Sequence, residues 1–143
     1  MGQQETTSEA VESLLQAARY DDMEDLLNLV SSGVSINSKD SQGRTALHMA
    51  SANGHQEIVK FLITNGVDVN ALNEEKNSPL HYACLNAHIE VVRLLILAGA
   101  SVSCLNSHEK TPVDEAVISG KMDVLNAINE TMALLELSNT TVS

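Results

Sequence analysis

A step of 33 residues runs through this sequence and constrains it more than any other feature. Asp40, Asn73 and Asn106 lie one step apart. So do Thr45, Ser78 and Thr111, then Leu47, Leu80 and Val113, then Ala50, Ala83 and Ala116. Ile58, Val91 and Val124 keep the step, as do Leu62, Leu95 and Ile128, and Gly66 with Gly99. A period of roughly 20–50 residues means stacked supersecondary units, none of which can bury its apolar face alone. One step back from the second unit lies a degenerate first one. Leu14, Ala17, Glu24 and Leu29 stand at the places of Leu47, Ala50, Glu57 and Leu62, and Gly33 and Asn37 at those of Gly66 and Asn70. Four units follow, at 7–39, 40–72, 73–105 and 106–138, with 1–6 as a disordered lead and 139–143 as a polar tail. The terminal units are the least regular, which suits caps whose outer faces meet water.

Each unit reads as two helices and a turn, so the fold class is an all-α solenoid. In the second unit Gly43 suits a tight turn. Thr45 suits a helix N-cap, where its hydroxyl accepts from a free N–H of the first turn. Leu47, Ala50 and Ser51 follow at helical spacing, and Gly54 ends that short helix. Ile58, Val59, Leu62 and Ile63 mark a second helix, and Asn65-Gly66 closes it, the glycine supplying a left-handed residue. Val67 to Asn70 leads into the next turn. In the third and fourth units Pro79 and Pro112 sit one residue after the cap, where a missing N–H is tolerated. Helices of about eight to ten residues are marginal alone, so stability must come from stacking.

Composition narrows the packing and the partners. Only 2% of residues are aromatic, so the core must be built from Leu, Ile, Val and Ala, small enough for helices to approach closely. The net charge of −11 gives no electrostatic reason to bind nucleic acid. It suits a basic protein partner, or solubility alone. Acid concentrates at the ends: residues 1–39 carry seven acidic and two basic residues, and 106–143 six and two, against three and two in each middle unit. Cys84 and Cys104 have no metal-knuckle or redox spacing. The N-terminal stretch has no apolar run, and the longest one, Val91 to Ala100, is interrupted by Arg93 and too short to span a bilayer. A cytoplasmic or nuclear protein with free thiols is expected. Met1-Gly2 with Thr6 fits a loose myristoylation pattern, without the second signal that stable anchoring needs.

The stretches GRTALHMASANGHQEIVKFLITNGVDVNA and NSPLHYACLNAHIEVVRLLILAGASVS resemble the ankyrin repeat, with its G-x-T-P-L-H, A-A-x-x-G-H, V-V-x-L-L-L and G-A-D-V-N segments. The resemblance implies an L-shaped helix–helix–β-turn unit and a curved stack of four, with degenerate terminal caps. It also implies a protein partner held on the concave side, against turn tips and inner helices. Lys76-Asn77 replaces the turn glycine of the third unit and Ala87 its second glycine, which leaves the geometry of those turns open. The first unit lacks T-P-L-H, and the fourth has Pro112-Val113-Asp114-Glu115 with no histidine. ALHMASANGH with LHYACLNAHIEVVRLL, in a short acidic chain, is also similar to small eukaryotic ankyrin chaperones of a basic small-subunit ribosomal protein.

Chemistry-bearing residues have structural readings at hand. His48 and His81 suit hydrogen bonds within and between turns, and His55 and His88 suit closing the loop between a unit's helices. Zinc would need ligands converging from several units, which nothing in the spacing enforces. Cys84 fills the small-residue slot of Ser51, and Cys104 that of Ala71. Asn70 suits a bridge across its turn, although it also resembles the ankyrin asparagine that some hydroxylases modify. The sequons at Asn129 and Asn139 are read as chance matches. No nucleophile–base pair, phosphate loop or cofactor motif appears, so the chain reads as a non-enzyme without metal or cofactor.

The interaction surface is expected at the tips and inner helices. Tip positions are Ser41, Gln42 and Arg44, then Glu74, Glu75 and Asn77, then Ser107, His108 and Lys110. Inner-helix positions are Arg19, Tyr20, Met49, Ala52, Asn53, Tyr82, Leu85 and Asn86. Leu72 and Leu105 precede the tips. Leu72, Tyr82, Leu85 and Leu105 beside Glu74 and Glu75 would make a mixed patch, with Tyr82 a natural interface anchor. An adaptor or scaffold, monomeric because a capped stack has no need to dimerise, is the primary reading. A dedicated chaperone of a basic client, such as a ribosomal protein, is the alternative.

Overall fold

The computed structural model describes residues 7–141, with side chains through Ser138. Residues 1–6, where the disordered lead and the myristoylation pattern fall, and residues 142–143 lie outside the described residues. The described chain holds eight α-helices and no strand. They pair in order: α1 (Ser8–Arg19) with α2 (Met23–Ser31), α3 (Ala46–Asn53) with α4 (Gln56–Thr64), α5 (Pro79–Leu85) with α6 (Ile89–Leu97), and α7 (Pro112–Ile118) with α8 (Met122–Thr141). The inner helices α1, α3, α5 and α7 pack side by side, and in the outer row α4 lies on α6 and α6 on α8. Leu14, Leu47 and Leu80 of the inner row and Ile58, Leu62, Leu95 and Val124 of the outer row are fully buried. The 33-residue periodicity is therefore a core repeated along one axis.

Local chemistry explains where the inner helices start. Thr45, Ser78 and Thr111 are extended N-caps whose hydroxyls accept from the N–H three residues on. In two units that third residue is a histidine, and its Nδ1 accepts in return from the cap N–H, at 3.1 Å in His48 and 3.0 Å in His81. In the fourth unit Asp114 takes the histidine's place, its carboxylate accepting from the Thr111 N–H at 3.0 Å. That bond holds the Asp114 carboxyl below the usual carboxylate range.

The two replaced glycines leave the turns intact. Gly43, Lys76 and Glu109 share one left-handed position, with φ of 75°, 63° and 60°. Asp21, Gly54, Ala87 and Gly120 share another, with φ of 61°, 74°, 61° and 70°. The non-glycine residues adopt this backbone at a cost of about 1–2 kcal/mol each. Stacking over-determines the turns and absorbs the strain.

The ends depart from the plan by extending helices. α1 starts at Ser8, one step before Ser41, so the first unit has helix where the others have a tip. At the other end Met132 stands one step past Gly99, and with no glycine to stop it α8 continues to Thr141. The helix thus enters the segment 139–143, which was expected as a polar tail. No helix is long and apolar enough to cross a membrane among the described residues.

Candidate functional site

The tips are built on an Asp or Asn at each step. The Asp40 carboxylate accepts from the N–H groups of Gln42 and Arg44, and Asn73 Oδ1 from those of Glu75 and Asn77. Asn106 Oδ1 does the same for His108 and Lys110. A backbone bond from residue 40, 73 or 106 to the carbonyl four residues on closes each tip. Burial pushes the Asp40 pKa up, but the N–H bonds and the Arg44 guanidinium at 2.8 Å outweigh it and leave it below its ordinary value.

Histidines and asparagines then tie the units together. The Nε2 of His48 donates to the Asn77 carbonyl at 2.8 Å, and that of His81 to the Lys110 carbonyl at 2.9 Å. A carbonyl only accepts, and Nδ1 is already accepting from the cap, so both rings are the neutral Nε2–H form. His55 and His88 do not close their own loops. They reach back to the preceding inner helix, to the carbonyls of Arg19 at 2.7 Å and Ala52 at 3.0 Å. Asn70 likewise bridges forward rather than across its own turn, accepting from Ser101 N at 2.8 Å and donating to the Gly99 carbonyl. Asn37 makes the same bond to Asp68 N. Tip meets tip through Glu74 N to Gln42 O and Ser107 N to Glu75 O.

A cleft of about 290 Å³ opens between the tips of the second and third units, lined by Gln42, Arg44, Asn73, Glu74, Glu75 and Tyr82. Five of these were expected at the surface, and the structure brings them together. Tyr82 is half-buried, its hydroxyl accepting from Asn73 Nδ2 at 2.8 Å and its ring edge-on to His48 at 5.8 Å. Glu74 and Glu75 are exposed and form no ion pair among the described residues. Leu72, Leu85 and Leu105 are exposed by 37%, 41% and 55%. Tyr20 ends α1 at 68% exposure, with Arg19 half-buried beside it. Asn53 and Asn86 are exposed at the ends of α3 and α5, their amides donating to the Met49 and Ala52 carbonyls. His108 is exposed and Lys110 half-buried at the last tip, where the Lys110 carbonyl is taken by His81.

Two expected surface residues lie beneath it. Met49 is 5% exposed, its sulfur 3.2 Å from an Arg19 guanidinium nitrogen. Asn77 is also buried, holding Asn106 through its side chain and His48 through its carbonyl. Both positions face the neighbouring unit, so period alone could not mark them as covered. Ile118, exposed by 62%, was missed, although one step from Leu85 would have found it.

Other chemistry is sparse. Among the described residues no group of three or more His, Cys, Asp or Glu side chains could hold a metal ion. Cys84 is buried, and burial pushes its thiol up to about 12, so it is protonated and unreactive in the native state. Cys104 is half-buried, with its sulfur 3.7 Å from the Ser101 carbonyl.

The architecture defines a stack of helical-hairpin repeats with exposed tips and inner-helix ends. The chain matches the family described as "Ankyrin repeats (3 copies)" over residues 14–106 and again over 65–133, and it belongs to the ankyrin-repeat family. Ankyrin repeats are generic protein–protein interaction modules, typically without enzymatic activity. Similar curated proteins include acyl-CoA-binding domain-containing protein 2 of Arabidopsis thaliana, 46% identical over 43 residues, which is 30% of this chain and 12% of that protein. The mitochondrial liver isoform of glutaminase in Rattus norvegicus and in Mus musculus is 42% identical over 57 residues, 40% of this chain and 10% of either enzyme. The chain therefore spans about a tenth of the length of the curated relatives it matches. The shared stretches are between one and two repeats long.

Proposed function

We propose that this chain is a non-enzymatic adaptor or scaffold that holds a protein partner on its concave face and tips. The observation that carries this reading is the patch formed by Leu72, Tyr82, Leu85 and Leu105 beside Glu74 and Glu75. Leu72, Leu85 and Leu105 expose aliphatic surface on the middle units of a regular stack, where it gains nothing from water, and Glu74 and Glu75 form no ion pair among the described residues. An aromatic anchor amid aliphatic residues with a charged rim is the anatomy of a binding surface. The partner suited to it is a protein with apolar and basic residues, and the chain acts as a monomer in the cytoplasm or nucleus. Its free thiols accord with that location.

The test pairs binding with folding. Tagged chain captures partners from a eukaryotic lysate at low salt, and each identified partner is purified and titrated against Leu85→Ser and the double variant Tyr82→Ala with Leu85→Ala. Both variants are checked by circular dichroism. Loss of binding with retained helicity is expected. Binding by a folded double variant at full affinity would sink the reading.

The second reading, a chaperone of a basic client, is favoured by the concentration of acid in the end units. It predicts one basic protein that elutes at moderate salt, because screening weakens exposed charge pairs. A salt-resistant, non-basic partner supports the adaptor and leaves the acidic ends as solubility devices.

A further inference from the structure

The surface is not uniform along the stack. The position at the C-terminal end of each inner helix runs Arg19, Ala52, Leu85, Ile118. The position just before each tip runs Lys39, Leu72, Leu105. Both rows begin with a cation at the first unit and end with exposed aliphatic residues: Leu85 and Ile118 on the third and fourth units, and Leu72 and Leu105 at the ends of the second and third. Tyr82 joins the two rows: it precedes Leu85 by one helical turn on α5, and its hydroxyl is bound by Asn73, the residue after Leu72. Above the Leu72–Leu105 row stand Glu74, Glu75 and Glu109, all exposed and without an ion pair among the described residues.

We propose that this two-row surface, whose aliphatic residues run from Leu72 to Ile118, receives a basic amphipathic α-helix of the partner, an inference that rests on the protein-binding reading above. Charge complementarity selects the occupant. The carboxylates of Glu74, Glu75 and Glu109 outnumber the Lys76 and Lys110 cations of the same tips. Arg19 stands at the far end of its row, where it repels a cationic segment, while Lys39 lies against the start of the aliphatic part of its own row, its Nζ 3.1 Å from the Leu72 carbonyl. Spacing selects its conformation. Helices packed side by side repeat every ~8–10 Å. A helix presents the same face again after two turns, ~10.5 Å along its axis. The same-face residues of an extended strand recur every ~6.6 Å and fall out of step with the units. The rows are separated by the length of α5, seven residues, ~10 Å at the helical rise and close to the width of one helix. Aliphatic residues at i, i+4, i+7 and i+11 fall within about 60° of arc and give the helix one apolar stripe, which faces the surface between the rows.

The experiment uses the full chain and three fluorescein-labelled peptides read by anisotropy. The first has leucines at i, i+4, i+7 and i+11 among lysines. The second has the same composition with leucines alternating, and the third has glutamates for the lysines. The first is expected to bind at least about tenfold more tightly than either other. It should weaken as salt rises and lose about tenfold on Leu72→Ser with Leu105→Ser. Lys60→Ser, on the outer helix α4, should leave it unchanged. Equal binding of the helical and alternating peptides, no binding by any peptide, or indifference to the Leu72 and Leu105 substitutions overturns the inference. If a captured partner is still lost on Leu85→Ser while the peptides show no preference, only this inference falls. If that partner is also indifferent to the surface substitutions, the parent reading falls with it.

Discussion

The second and third units share a helix plan, a capping scheme and both histidines, yet they make their left-handed turns from different residues. Unit two uses Gly43 and Gly54, and unit three uses Lys76 and Ala87. The difference lies in what the following unit brings against the turn. A Cβ on Gly54 would sit 2.6 Å from His88 Nδ1, whose ring is held by its bond to the Ala52 carbonyl. One step on, Lys121 replaces His88, so no ring presses on Ala87. A Cβ on Gly43 would meet Asn73 Cα at 3.1 Å, a milder approach that a shift of a few tenths of an ångström relieves. The left-handed backbone is thus a demand of each unit, whereas glycine at Gly54 is a demand of its neighbour.

The comparison breaks hardest at the histidines. His48→Ala removes a fully buried ring, the return half of the Thr45 cap and the bond to Asn77, and should cost roughly 4 kcal/mol in chemical denaturation. His81→Ala should cost about the same, within ~1 kcal/mol, because its bonds are the same. A much smaller loss at His81 would show the third–fourth interface to be softer than the second–third. Acid should act in the same direction. Burial pushes the His48 pKa down from 6.5 to about 4, so the unfolded chain binds the proton more readily. Stability should be full above about pH 6.5, fall by up to about 3 kcal/mol as pH drops toward about 4, and lose nothing more from this group below that. Denaturant midpoints across that range, compared with His48→Gln, isolate the contribution. An unchanged slope in the variant would refute it.

Smaller effects sharpen the contrast between turns. Gly54→Ala combines left-handed strain with displacement of His88 and should cost about 2 kcal/mol. Ala87→Gly should do the opposite, raising stability by about 1 kcal/mol as the strain disappears. If Gly54→Ala proves as mild as a surface substitution, neighbour contact is not what requires the glycine. The smallest effect lies in the slot shared by Ser51 and Cys84. The Ser51 hydroxyl is buried with no hydrogen-bond partner among the described residues, so Ser51→Ala should stabilise by about 1 kcal/mol in thermal unfolding. A loss instead would mean that the hydroxyl has found a partner.

The sequence by itself determined the stack. Its step, its Ser and Thr caps, Pro79 and Pro112, and Gly66 and Gly99 are local signals that act through backbone geometry within a few residues, so a linear reading finds them. The tip positions and the candidate residues Leu72, Tyr82, Leu85 and Leu105 were legible for the same reason. Only the tertiary structure decided what lies across a unit boundary. It turned His55, His88 and Asn70 toward their neighbours, and it buried Met49 and Asn77 at positions where period alone suggested surface. It left Ile118 in water beside Leu85. It also held Ala87 and Lys76 in a conformation their side chains disfavour. These outcomes depend on which atoms a neighbouring unit presents at a few ångströms, and that proximity is created only when the units stack.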